Sequence, residues 1–180
     1  MLFARGKRPD RGAIRAFVAR CPAVSISHDP HPEDAPLAET LRRSEQRWLE
    51  LLRDGLTFDL TGLAPGPESP LPDLAQRFDL PALPDLRDHE TMTLRPGPHV
   101  APAGNSLPVI RTMMALACDL VRHFDDLLAV GWSPAGSVFG RRFCESVTTA
   151  WLDGGPFPAL GLTAFVEAPD GALQSVGLAF

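Results

Sequence analysis

The densest concentration of reactive groups in the chain is His28-Asp29-Pro30-His31-Pro32-Glu33-Asp34, two imidazoles and three carboxylates within seven residues. Imidazole nitrogens and carboxylate oxygens are the donors Zn²⁺ takes, and carboxylates also suit harder divalent ions. His28, His31 and Glu33 are the candidate metal ligands, and a centre there would support a small metal-dependent hydrolase. The spacing matches no standard metal motif, HExxH is absent, and Asp34 is equally suited to cap a following helix. Asp88-His89-Glu90 can add ligands if the fold brings it near. The competing reading is a solvated acidic loop with no cofactor.

A second candidate is the turn Gly104-Asn105-Ser106 ahead of an apolar helix. Free N–H groups and the helix dipole favour an anion at such a start. A nucleophilic Ser106 needs a base beside it, and none is local; His99 lies seven residues earlier. The G-x-S-x-G elbow is missing. Ser106 is therefore expected to act first as an N-cap. Asn105 and Ser106, with Trp132 placed to edge a pocket, form the candidate ligand-binding set. Cys144 sits early in a helix beside Arg141 and Arg142, a setting that favours thiolate. Its stripe-mates Gly140, Val147 and Trp151 point it inward, as an inert buried thiol. Cys118 lies on the less apolar side of its helix.

The elements that must position these groups can be read from periodicity. A basic helical segment is expected in residues 1–20, where Ile14, Phe17, Val18 and Cys21 recur at helical spacing. "AVSISH" alternates as a strand. A helix is expected from Asp34, with Leu37, Leu41, Trp48, Leu51 and Leu52 on one stripe and Gly55 at its end. "LTFDLTGL" is the next strand. Six prolines between residues 64 and 86 mark an excursion, with a helical turn or two at "PDLAQRF" and with Leu71, Leu74, Phe78 and Leu80 to pin it. "ETMTLRP", "HVAP" and "LLAVGWSP" are strands. The helix after Ser106 is followed by a second carrying Phe139, Phe143, Val147, Ala150 and Trp151. "LGLTAFVEA" and "ALQSVGLAF" pair through Pro169-Asp170-Gly171 as a hairpin. Ending at Phe180 in mid-strand, the chain is expected to be longer in nature or to have that edge covered. The order predicts an α+β fold: a mixed, largely antiparallel sheet with helices mainly on one face and a C-terminal β-hairpin. Residues 21–180 are read as one domain behind the basic segment.

Charge and composition narrow the function. Residues 1–20 hold six basic side chains against Asp10, whereas the remainder holds 11 basic and 21 acidic groups. The body is thus a poor nucleic-acid binder, and only the basic segment suits an anionic surface. No apolar run approaches the roughly 18 residues that span a bilayer, and Arg15 and Arg20 interrupt any secretory core. Three widely spaced cysteines with no CxxC predict free thiols and a cytoplasmic location. The expected function is a non-catalytic binding or protein-interaction domain. A protein partner or a second copy would add to an open sheet edge.

Trp151, Gly154-Gly155, Phe157-Pro158, Leu160-Gly161-Leu162 and the Asp170-Gly171 turn, with "HVAPAGNSLPVIRTM", carry a resemblance over roughly the last 80 residues. The stretch resembles a family of bacterial, alphaproteobacterial-type hypothetical proteins with no established activity. The resemblance implies a bacterial protein and supplies no catalytic residue.

Overall fold

The computed structural model describes residues 1–29, 48–85 and 87–178. Two β-sheets dominate it. The first is four-stranded and antiparallel: β2 (Val24–His28), β3 (Trp48–Arg53), β4 (Leu56–Thr61) and β7 (Thr93–Pro96), in that order. Leu49, Leu51, Phe58 and Leu60 point into the core, while Trp48, Glu50, Thr57 and Asp59 alternate to the other face.

This corrects the expected helix through Leu52 and Gly55. Trp48–Arg53 is a strand, and Asp54-Gly55 is its two-residue turn, with φ of 51° and 77°. Both central residues of a type I′ turn need positive φ, which is why Asp-Gly favours hairpins. Leucines at both odd and even positions satisfied a helical template as well as a strand one. The remainder of that expected helix, together with His31, Glu33 and Asp34, lies outside the described residues.

The second sheet has five strands, in the order β5 (Gln76–Phe78), β9 (Ser137–Gly140), β8 (Leu127–Trp132), β1 (Leu2–Ala4), β6 (His89–Thr91). Only β5 and β9 run parallel. The basic segment is therefore not helical throughout. Its first residues form an interior strand, and only α1 (Arg11–Arg20) is helix, started by the Asp10 carboxylate accepting the Ala13 N–H at 2.8 Å. The single strand expected at "ETMTLRP" splits at Met92, giving β6 to one sheet and β7 to the other. "HVAP" is not a strand but a turn entering a 3-10 turn at Ala101–Ala103. "PDLAQRF" supplies β5 rather than helix, because its partner is a distant strand. Leu71, Leu74 and Leu80 pack on Leu2, Ala129 and Val138, and Phe78 stacks on Phe143 at 5.6 Å, so the excursion is pinned as expected.

Helix α2 (Leu107–His123) is buried along most of its length and shares one core with both sheets. Cys118 is inside this core, against the expected polar side. Phe139 belongs to β9, and α3 (Arg141–Leu152) begins after it. Gly140 precedes α3 and has no side chain to cap it. Asp79 does so from across the fold: its carboxylate accepts the Phe143 N–H at 3.2 Å and pairs with Arg142 at 3.0 Å. A Cβ on Gly140 would collide with the Asp79 carbonyl, so the glycine is what lets the cap approach. Asp79→Ala is expected to cost about 1–2 kcal/mol, as loss of an N-cap does. An unchanged urea midpoint would contradict that role.

A short helix, α4 (Ala159–Leu162), replaces the start of the strand expected at "LGLTAFVEA". The terminal hairpin pairs β10 (Thr163–Glu167) with β11 (Leu173–Gly177) antiparallel, and Gly171 takes φ of 80° in its turn. The whole is an α+β fold with mostly antiparallel sheets, helices packed against them and a C-terminal hairpin.

Candidate functional site

The region where β7, β8 and the Met1-Leu2 end of β1 meet α2 forms a half-open cavity of about 590 Å³, with Pro70-Leu71-Pro72 also in its lining. Pockets of this size, mostly apolar with a few placed polar groups, are the usual form of small-molecule sites. Met1, Met92, Met113 and Met114 all line it, and these are the only methionines in the sequence. Four flexible, polarisable thioethers give the walls the ability to reshape around an apolar guest.

The polar lining is sparse. It comprises Asn105, Ser133, Thr91, Thr93 and Arg95. Thr91 is already committed, its hydroxyl donating to the Ser69 carbonyl. Arg95 is exposed, and the register places it beside Asp59 on the outer face of the four-stranded sheet. No Asp, Glu, His, Cys or Lys lines the cavity among the described residues. The Met1 amine donates to the Met92 carbonyl at 2.9 Å, and burial pushes it down to about 6.

Of the expected ligand-binding set, Asn105 and Trp132 line this cavity, and Ser106 is not among its lining residues. The Trp132 indole N–H is itself buried, with no acceptor among the described residues. Ser106 occupies the N-cap position of α2 with extended backbone, yet its hydroxyl makes no capping bond. An N-cap side chain bonds the N–H two or three residues on; Pro108 has none, which leaves Val109 as the sole donor within reach. Backbone supplies the start instead, the Ile110 N–H donating to the Ser106 carbonyl at 3.1 Å.

Of the candidate metal residues, His31 and Glu33 lie outside the described residues, and only His28 is placed. His28 ends β2 with its ring 5.2 Å from Trp48, opposite Glu50, whose carboxylate accepts the Ser27 hydroxyl at 2.7 Å. Asp29 is held by Arg11 and Arg15. His89 bonds the Asp85 carbonyl at 2.8 Å, and His123 packs on Phe17 and Phe124, so these imidazoles have separate neighbours. Among the described residues, no group of three or more His, Cys, Asp or Glu is placed to hold a metal ion. Cys144 is fully buried, and burial pushes its thiol up to about 12 despite the helix start beside it.

A charged row crosses the outer face of the four-stranded sheet: His28, Glu50, Asp59 and Arg95 are successive cross-strand partners. Asp59 sits in the middle, with one carboxylate oxygen buried and unpartnered among the described residues. Burial, then the Glu50 charge, raises its carboxyl above the ordinary range, against the opposing pull of Arg95 and His28. A carboxyl so raised binds its proton more tightly folded than unfolded. Its contribution to stability is present at low pH and is lost as pH climbs through and above the ordinary carboxylate range. Asp59→Asn is expected to flatten that decline, giving a Tm at pH 7 at or above the parent's and no advantage below about pH 3. A lower Tm at pH 7 in melts across this range would contradict it.

Compared with models of known protein families, with curated proteins and with solved structures, the chain matches none. No described helix is long and apolar enough to cross a membrane.

The cavity was only half visible from sequence. Met113 and Met114 read as core positions of a helix, and Met92 and Arg95 as an ordinary strand. The usable signal was that the few methionines fall on different elements.

Proposed function

We propose that this chain is a non-catalytic binding protein of a bacterial cytoplasm whose ligand is a small, largely apolar molecule held in the methionine-lined cavity. The observation carrying the reading is the convergence of all four methionines, from three separate parts of the chain, on one cavity of about 590 Å³. The non-catalytic part of the reading is supported by the lining: no carboxylate, imidazole or thiol of the described residues faces the guest, and the one group there that titrates near neutrality, the Met1 amine, is bonded to the Met92 carbonyl. The three free cysteines support a reducing compartment.

Titrating the protein with 1-decanol while following ¹³C-labelled methionine methyls and tryptophan indole signals by NMR tests this. Met92, Met113, Met114 and Trp132 are expected to shift together, with Trp48 and Trp151, which do not line the cavity, remaining still. Filling the space by Ala117→Phe is expected to abolish the shifts in a protein that still melts cooperatively. Silence of the four cavity signals with both this alcohol and its carboxylate analogue would end the proposal.

A further inference from the structure

What the cavity wall does to a charge sets the class of guest, an inference that rests on the binding reading above. Three parts of the chain build most of the wall: Met92 and Leu94 around β7, Val130 and Trp132 on β8, and Met113 and Met114 on α2. Each of these side chains belongs to the common hydrophobic core or packs on it. Arg95 alternates with Leu94, whose cross-strand partner Leu60 is in the core, so its side chain leaves on the other face beside Asp59, on whose carboxyl it acts. One ionisable group does sit in this wall, and it reports how charge fares there. The Met1 amine is buried with a neutral carbonyl, that of Met92, as its acceptor at 2.9 Å, and desolvation pushes it down to about 6. It is therefore mostly uncharged at pH 7.5. A charge carried in by a guest loses hydration in the same way, and a buried ion with no counter-charge is strongly disfavoured. The neutral polar residues Asn105 and Ser133 also line the space, and amide and hydroxyl groups serve uncharged donors and acceptors.

We infer that the cavity selects guests without charge of either sign: an apolar body bearing at most a neutral hydrogen-bonding group, with the ionised form of the same skeleton rejected. An anion and a cation are refused for one reason, the lack of a facing counter-charge among the described lining residues. A weak acid enters only as its protonated form.

Calorimetry on the full chain compares 1-decanol, decanoate and decyltrimethylammonium, which share one alkyl length, with the NMR titration above to confirm the site. At pH 7.5 each ion is expected to bind at least about tenfold more weakly than the alcohol. Decanoate affinity is expected to rise about tenfold for each unit that pH falls between 8.5 and 7, because the protonated fraction grows by that factor above a carboxyl's own pKa. Decanol affinity stays constant over this range, where the Met1 amine remains mostly neutral. Either ion binding in the cavity as tightly as the alcohol overturns this inference and leaves the binding reading standing. A measurable decanoate affinity that does not change with pH also overturns it, because the anion itself is then accepted. Binding of none of the three overturns both.

Discussion

Replacing Phe3 with alanine is expected to destabilise the protein by about 3–5 kcal/mol, the range for truncating a buried aromatic in a packed core. Phe3 is completely buried, sits edge-on to Phe124 with ring centroids 6.2 Å apart, and lies in a three-residue strand between two neighbours. On one side it pairs with Glu90 and on the other with Leu127. The cavity left by truncation cannot collapse easily, because backbone pairing on both edges fixes β1 in place. Leu128 on the adjacent strand provides the control. It is 40% exposed, and its truncation is expected to cost well under about 1 kcal/mol. Guanidinium melts of the two variants measure the contrast. A Phe3→Ala loss as small as that of Leu128→Ala would mean that β1 is not an interior strand.

Arg8→Ala is expected to cost about 2–4 kcal/mol, far above the usual effect of a charge near a chain end. Only 7% of the Arg8 side chain is exposed. Its two terminal nitrogens donate to the carbonyls of Gly62 and Gly66 at 2.6 and 2.7 Å, and its Nε lies 3.5 Å from the Glu90 carboxylate. The Ala64 N–H donates to the Pro9 carbonyl at 3.0 Å alongside, so Arg8 fastens the segment before α1 to the turn after β4. Truncation leaves two carbonyls without their donor and a mostly buried carboxylate without its counter-charge, and that desolvation accounts for the size of the effect. Glu90→Gln in the Arg8→Ala background is expected to recover part of the loss, since it removes the stranded charge. A double-mutant cycle in urea reads this directly, and strict additivity would refute the coupling.

These two residues also show where sequence reading stops. Arg8 belongs to the basic cluster of residues 1–20, which by composition suits an anionic surface. In the fold Arg8 is an internal fastener, and Arg11 and Arg15 close on Asp29. Nothing within ten residues of Arg8 reveals Gly62, Gly66 or Glu90 as partners. Phe3 carries no local sign of being central to a sheet, because three residues are too few for a periodic pattern.

Local chemistry determined a good part of the protein. The Asp10 cap of α1, the buried stripe of α2, the Gly171 turn and the alternation in β2 and β4 are set by residues a few positions apart. These signals were legible because caps, turns and side-chain periods act over one or two turns of chain. The mixed α+β class follows from them. Gly55 was legible as a stop but reads as a helix end, because the leucine-rich stretch before it fits both periods, and only pairing with Leu56–Thr61 decided for strand.

Tertiary structure alone decided the rest: that Met92 divides one extended run between two sheets, that Asp79 caps a helix 62 residues ahead of it in sequence, and that four scattered methionines share one cavity. Such features depend on which surfaces meet when apolar area is buried, a property of the whole chain that no short window contains.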